Sequence, residues 1–162
     1  IGEIGLDYHY DFSPRDVQKK IFEQQLAFSV ECDMPVIVHD REAHEDVMVL
    51  LKKYRPKGVV HCFSGSVELM RETVKLGMYV GLGGAVTFKN ARKPVEVAAE
   101  VPPEYLLIET DAPYMTPVPF RGSRCDSRHI PYTAEVIARV RCCTVQEILD
   151  LTAENARRLF YD

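Results

Sequence analysis

The sequence has no long hydrophobic run. Its longest apolar stretches, such as Val36–Val38 and Leu106–Ile108, have the length of a strand. A membrane helix needs about 20 consecutive apolar residues, so no membrane span is predicted. The 162 residues also contain no low-complexity tract, linker or close repeat. A single domain over residues 1–162 is therefore the simplest organisation.

Cysteine pairs with C-x-x-C spacing are absent as well. The five cysteines are odd in number and lie scattered along the chain. This usage favours free thiols in a reducing compartment, and we expect a cytoplasmic protein. An excess of positive charge is missing too, because the net charge is -4. That balance excludes a wholly basic nucleic-acid coat, so a polyanionic substrate would need a local basic patch or bound metal ions.

Short apolar strands alternate with helical stretches, the pattern of parallel βαβ units. We predict five strands: Ile1–Leu6, Val36–His39, Val59–Phe63, Tyr79–Leu82 and Tyr105–Glu109. A closed (β/α)₈ barrel takes about 250 residues and eight strands, so the chain is consistent with the last five strands of a TIM-like barrel. An open doubly wound sheet is the competing architecture.

Helix boundaries carry their own signals. We expect Ser13 to cap the first helix, with Val17, Ile21 and Phe28 on its apolar side. Ser66 is predicted to cap a later helix that ends before Gly77. Further helices are predicted from Pro94, over Pro131–Arg141, and from the capping-box pattern at Thr144 to the C-terminus.

Four potential ligands fall in or just past the carboxyl-terminal half of four different predicted strands. They are Glu3, His39, His61 and Asp111. In a parallel barrel those strand ends converge on one mouth, where active sites lie. Two imidazoles and two carboxylates suit zinc, manganese or a related divalent ion, and a carboxylate such as Glu3 can bridge two ions. Such a set predicts hydrolysis by activated water, with Asp111 as a ligand and proton acceptor.

Each of these residues also has an ordinary structural interpretation. A single strand-end histidine or carboxylate more often satisfies a hydrogen bond or an ion pair than binds a metal. It is the convergence of four such residues that favours a metal site.

The segments around these residues resemble, in order and spacing, the signature segments of TatD-type deoxyribonucleases. The segments are Gly2–Tyr8, Pro35–Arg41, His61–Gly65 and Leu107–Tyr114, with Thr152–Phe160 similar to the closing T-x-x-N-x-x-x-x-F helix. The resemblance implies a TIM-like barrel of the amidohydrolase superfamily, with this chain as strands 4–8. It also implies a Mg²⁺- or Mn²⁺-dependent nuclease, with Zn²⁺ as another candidate ion, that acts on DNA in the manner of a 3′-5′ exonuclease.

The resemblance assigns the ligands to two ions. Glu3 would bridge them, Asp111 would bind the first, and His39 and His61 would bind the second. The family's His-x-His on the first barrel strand has no counterpart here, so we expect an N-terminally incomplete domain with a partial first site. The chain also has Arg124–Ser127 where the family often shows Arg-x-Glu-Pro or Asn-Glu-Pro.

Several residues beside these ligands are candidates for substrate contact. They are Arg41, Ser64, Gly65, Tyr114, Arg121, Arg124 and, in the same loop, Arg128. The loop arginines can clamp phosphates, an interpretation favoured over a solvated loop because the loop directly follows Asp111. Tyr114 can stack on a base, but ordinary packing explains Tyr114 equally well, and structural roles are equally open for Arg41, Ser64 and Gly65. We expect Cys62 to point into the barrel wall, because successive strand side chains alternate between faces.

The leading functional hypothesis is metal-dependent hydrolysis of DNA. Hydrolysis of a lactone, ester or amide stays open, because related barrels reuse one metal cradle for several substrates. An inactive fragment with exposed sheet edges also stays open.

Overall fold

Five parallel strands form one sheet in the computed structural model of the protein, which describes residues 1–162. The strands are β1 (Ile4–Asp7), β2 (Val36–Arg41), β3 (Gly58–Val60), β4 (Tyr79–Leu82) and β5 (Leu106–Ile108). They pair in chain order, β1-β2-β3-β4-β5. A doubly wound sheet would reverse its strand order at a switch point. The unbroken order therefore matches a run of barrel wall and excludes the competing architecture.

Six α-helices connect and follow the strands. They are α1 (Arg15–Glu31), α2 (His44–Tyr54), α3 (Val67–Lys75), α4 (Arg92–Glu100), α5 (Ile130–Arg141) and α6 (Val145–Phe160). Short 3₁₀ turns cover Gly84–Thr87, Pro103–Tyr105 and Ser127–His129. None of the helices is both long enough and apolar enough to cross a membrane.

Several predicted caps are confirmed. The Ser66 side chain accepts a hydrogen bond from the Leu69 amide at the start of α3. Gly77 follows that helix with φ +81°, the left-handed conformation that glycine adopts without strain. At α6, Thr144 and Glu147 form the predicted capping box. Local sequence is sufficient at these points because each cap is completed within four residues.

Two predictions for α1 are wrong, its first residue and its buried side. Pro14 has extended dihedral angles and occupies the cap position, so the helix begins at Arg15 and Ser13 caps nothing. The predicted apolar side, Val17, Ile21 and Phe28, is largely exposed. The buried side of the helix is instead Phe22, Leu26 and Ser29. This helix has apolar residues on two sides, and the sheet buries only one of them.

The main core lies between one face of the sheet and the helices. Strand residues such as Val36 and Val38 pack there against helix residues such as Phe22 and Leu51. A small second cluster lies on the opposite face, where Val59, Tyr79 and Leu107 meet the C-terminal part of α6. The side chains of β2 therefore alternate between the two faces of the sheet: Val36 and Val38 lie in the main core, and Ile37 and His39 lie on the second face.

Candidate metal centre

Residues from three strands bring a carboxylate and two imidazoles together. Glu3 lies immediately before β1, His39 lies within β2, and His61 directly follows β3. The register pairs Gly5 beside His39 and places Val60, just before His61, beside Val38. The prediction placed Glu3 in the second half of a strand, whereas in the structure it precedes β1. Its long side chain still reaches both histidines.

One carboxylate oxygen is the centre of the group. Glu3 Oε1 is 2.8 Å from His39 Nδ1 and 2.7 Å from His61 Nε2. The two ring nitrogens are 3.3 Å apart. Two ligands of one ion at about 2.1 Å are separated by roughly 3.0–3.4 Å in octahedral or tetrahedral geometry. The donor types and their spacing therefore fit a divalent cation after only a small adjustment of the Glu3 side chain.

Two further carboxylates, which were not predicted as site residues, contact the outer nitrogens of the histidines. Asp7 Oδ2 is 3.1 Å from His39 Nε2, and Glu109 Oε2 is 3.3 Å from His61 Nδ1. Glu109 also accepts a hydrogen bond from the Cys62 amide. Such partners orient a ligating imidazole and raise its basicity. Both residues lie inside the motifs quoted above, and both stand at the carboxyl end of a predicted strand, Asp7 just after Leu6 and Glu109 as the last residue, which was the available signal.

The predicted ligand Asp111 lies beside this group but is not part of it. The ligand atoms of Glu3, His39 and His61 all lie within 4.8 Å of one another, and Asp111 is outside that set. Burial raises the pKa of the Asp111 carboxyl; the charge of His61 opposes the rise, and the charges of Glu109 and Glu3 add to it. Asp111 is thus in the same electrostatic field as the other acidic groups.

His61 is the most buried member of the site, with 9% of its side chain exposed. Burial alone would lower its pKa, but the hydrogen bond to Glu109 and the charges of Glu109 and Glu3 outweigh burial and raise it to about 9. The four carboxylates of the site, Glu3, Asp7, Glu109 and Asp111, exceed the two imidazoles in charge. An excess of negative charge at a partly buried site is what a bound cation would balance.

Cys62 does not point into the barrel wall, and that prediction is wrong. β3 ends at Val60, and Cys62 has φ +42°, so strand alternation no longer applies to it. Its sulfur lies with ligand atoms of His61 and Glu109 within 4.8 Å. Burial raises the pKa of the Cys62 thiol, and the charges of Glu109 and Asp111 raise it further. The thiol is therefore held protonated, which does not suit a nucleophile.

The candidate substrate residues have different surroundings. The Arg41 guanidinium lies 5.1 Å from the centre of the Tyr10 ring, and Arg121 lies 3.9 Å from the centre of the Phe88 ring. Arg128 is paired with Asp126. The remaining candidates Ser64, Tyr114 and Arg124 are exposed, whereas Gly65 is buried. A Cβ at Gly65 would collide with Phe63 and Leu69, so packing accounts for that glycine.

An open cleft of about 310 Å³ borders the metal candidate and is lined by six residues. They are Glu3, Ile4, Gly5, Asp7, Gln18 and His39. The sheet, the cleft and the cluster of histidines and carboxylates define a barrel-type protein. Its candidate metal site combines Glu3, just before β1, with His39 in the carboxyl-terminal half of β2 and His61 just after β3.

Comparison with known proteins identifies the family. Residues 1–161 match the family described as TatD related DNase. The chain belongs to this family, which confirms the resemblance in the sequence motifs. It is 50% identical over 99% of its length to the metal-dependent hydrolase YabD of Bacillus subtilis, which is described as uncharacterised. It is 37% identical, again over 99% of its length, to a Salmonella typhimurium protein named 3′-5′ ssDNA/RNA exonuclease TatD.

Solved structures confirm the fold. The crystal structure of YJJV, a TatD homologue from Escherichia coli, superposes with a TM-score of 0.92 at 35% identity over 99% of this chain and 63% of that chain. A TatD family hydrolase from Entamoeba histolytica gives a TM-score of 0.87 at 23% identity, over 99% of this chain and 62% of that one. The chain spans 64% of the length of YabD and 65% of the Salmonella exonuclease.

Proposed function

We propose that the protein is a divalent-metal-dependent phosphodiesterase that hydrolyses DNA from the 3′ end. The observation that carries the proposal is the contact of Glu3 Oε1 with both His39 Nδ1 and His61 Nε2, at 2.8 and 2.7 Å. The name of the Salmonella relative supports a nucleic-acid substrate. The uncharacterised relatives support only the broader class of metal-dependent hydrolase.

Glu3, His39 and His61 would hold one ion, and Asp111 with Glu3 would hold a second. Bound Mg²⁺, Mn²⁺ or Zn²⁺ would supply Lewis acidity and lower the pKa of water toward neutrality. Asp7 and Glu109 keep the two imidazoles oriented through the contacts at 3.1 and 3.3 Å.

Asp111 is assigned the proton transfer. Its carboxylate follows β5 at the mouth of the sheet and has a raised pKa, because it is partly buried among other acidic groups. A carboxylate at this position can take a proton from the attacking water and return it to the leaving oxygen. The negatively charged phosphates of the DNA backbone would be met by Arg41, Arg121 and Arg124. Ser64, Gly65 and Tyr114 would make further contacts.

The test is release of label from 3′-labelled single-stranded DNA by chelator-treated protein, with and without added Mg²⁺ or Mn²⁺. The informative variants are Glu3→Gln and Asp111→Asn. We expect metal-dependent release, and a loss of about 10²–10⁴-fold for Asp111→Asn, the range for a general base. Glu104→Gln is the matched control, because Glu104 is exposed at the opposite end of β5.

Three results would contradict the proposal. Release that persists in chelator would exclude the metal, and full activity of Glu3→Gln would exclude the cluster. Silence toward DNA together with metal-dependent hydrolysis of an ester or lactone would show a different substrate class.

A further inference from the structure

An aromatic pair is open to solvent on the loop that follows β1. Phe12 is 90% exposed and Tyr10 is 54% exposed. Their rings stack with centroids 5.3 Å apart and an angle of 9° between planes. Single exposed aromatic residues are common on protein surfaces. A preformed stack with one free face is a different feature, because it has the geometry that another flat ring can extend.

This loop is tied directly to the candidate metal centre through Asp7. One oxygen, Asp7 Oδ1, accepts hydrogen bonds from the backbone amides of His9 and Tyr10 at 3.0 and 2.9 Å. The other oxygen, Oδ2, is 3.1 Å from His39 Nε2. The same carboxylate therefore orients a metal-ligand candidate and fixes the turn that carries the aromatic pair.

A positively charged side chain lies beside the pair. The exposed Arg41 guanidinium lies 5.1 Å from the centre of the Tyr10 ring and has no carboxylate partner. Of the acidic groups nearby, Asp11 is paired with Arg15 and Glu42 contacts His9, each at 2.8 Å, and the second contact is an ion pair only when His9 is protonated. Arg41 itself has no ion-pair partner and is therefore available to meet an anion.

We propose that Tyr10, Phe12 and Arg41 form a platform for single-stranded nucleic acid, with a base on the free face of Phe12 and a backbone phosphate at Arg41. The platform deepens the proposed function and rests on it. Aromatic faces accept any base, and arginine meets the phosphate that follows. In a duplex the bases are already stacked on each other, so the platform favours single strands.

The experiment measures binding of a fluorescently labelled oligothymidine by anisotropy, in chelator so that no turnover occurs. We expect Phe12→Ala to weaken binding by about tenfold or more, the effect of losing one base–aromatic stack. Phe12→Tyr keeps a ring and should restore the affinity. Arg41→Gln should lower the slope of log affinity against log salt by about 0.7, the loss of one phosphate contact on a single strand.

Tyr161→Ala is the matched control. Tyr161 is 86% exposed, but its helix packs through Leu159 against Val59 and Tyr79, near the amino ends of the strands. Its removal should leave oligonucleotide affinity unchanged. Thermal unfolding of Phe12→Ala should match that of the unmutated protein, because an exposed ring contributes little to stability.

The platform would be refuted if Phe12→Ala bound the oligonucleotide as tightly as the unmutated protein, or if duplex DNA bound as tightly as single strands. Parallel titrations with single-stranded DNA and RNA identify which sugar is preferred, and either preference supports a base platform. Hydrolysis of a small chromogenic phosphodiester by the unmutated protein with Mn²⁺ tests the proposed function alone. Phe12-dependent binding without that hydrolysis would reject the function and keep the platform, and the reverse result would reject only the platform.

Discussion

Replacing Asn155 by leucine should destabilise the protein by about 2–4 kcal/mol. Asn155 is 1% exposed in α6. Its amide nitrogen donates to the carbonyl oxygens of Pro103 and Leu106, at 2.7 and 2.8 Å. Pro103 precedes β5 and Leu106 is its first residue. This strand leads to Glu109 and Asp111. One side chain therefore anchors the last helix to the strand that supplies part of the site.

The magnitude follows from the two lost hydrogen bonds. Leucine has the branched shape of asparagine but is larger, so no cavity forms; the loss comes from the carbonyls, and overpacking at this buried position adds to it. Each hydrogen bond contributes about 1 kcal/mol net, and a buried carbonyl left without a partner costs about 1–3 kcal/mol. The bond to Leu106 is fully buried, while that to Pro103 is only partly buried. Water can replace the donor at Pro103, so Leu106 accounts for most of the effect.

The assay is urea unfolding of the unmutated and Asn155→Leu proteins, compared at equal m-values. Thermal unfolding should show a midpoint lower by roughly 5–15 °C, from about 2–4 °C per kcal/mol for a chain of this size. Asn90→Leu is the matched control because Asn90 is exposed, and we expect its effect to stay within about 0.5 kcal/mol. If Asn155→Leu were as mild as that control, the anchoring role of the amide would be refuted.

Three further predictions follow from single contacts. Glu109→Gln should weaken Mn²⁺ binding about 10–100-fold in calorimetric titration, the usual effect of losing a partner of a ligating histidine; unchanged affinity would contradict the orienting role. Burial and the hydrogen bond to Asp46 raise the pKa of Tyr8 from 10.0 to about 12, so its contribution to stability is complete below pH 10.0 and is lost as pH rises through about 12. Urea unfolding of Tyr8→Phe across that range should lack this part of the decline, and identical profiles would argue against it. Gly84→Ala should cost about 1–3 kcal/mol in the same assay, because a Cβ would overlap the Met115 carbonyl oxygen, whereas equal stability would mean that the loop can shift freely.

Sequence predicts the parts of this fold that local interactions complete. The bounds of β4, Tyr79–Leu82, agree with the prediction, and the capping box at Thr144 forms as expected. The buried side of α1 was not predictable in the same way. Phe28 and Phe22 lie on different sides of a helix that has apolar residues on both. Packing against the sheet decides between them, and it buries Phe22 and leaves Phe28 exposed.

The candidate site divides along a similar line. His39 and His61 were found from their strand ends, because parallel strands bring their carboxyl ends to one edge. Glu109 was missed although it directly follows β5 and contacts His61. In the sequence Glu109-Thr110-Asp111 the two carboxylates are two residues apart, so period-two alternation assigns both to the same face. The pattern alone does not say which one lies nearer to the histidines.

Backbone conformation explains why that choice needs the structure. Asp111 has φ +54° and Cys62 has φ +42°, and both follow closely after a strand has ended. A left-handed residue turns its side chain away from the direction that period-two alternation predicts. Cys62 is thereby brought to Glu109 instead of the barrel wall, and Asp111 is displaced from the ligand atoms of the histidines. Alternation therefore identifies site residues only as far as the strand continues, and beyond that point the turn decides which side chain enters the site.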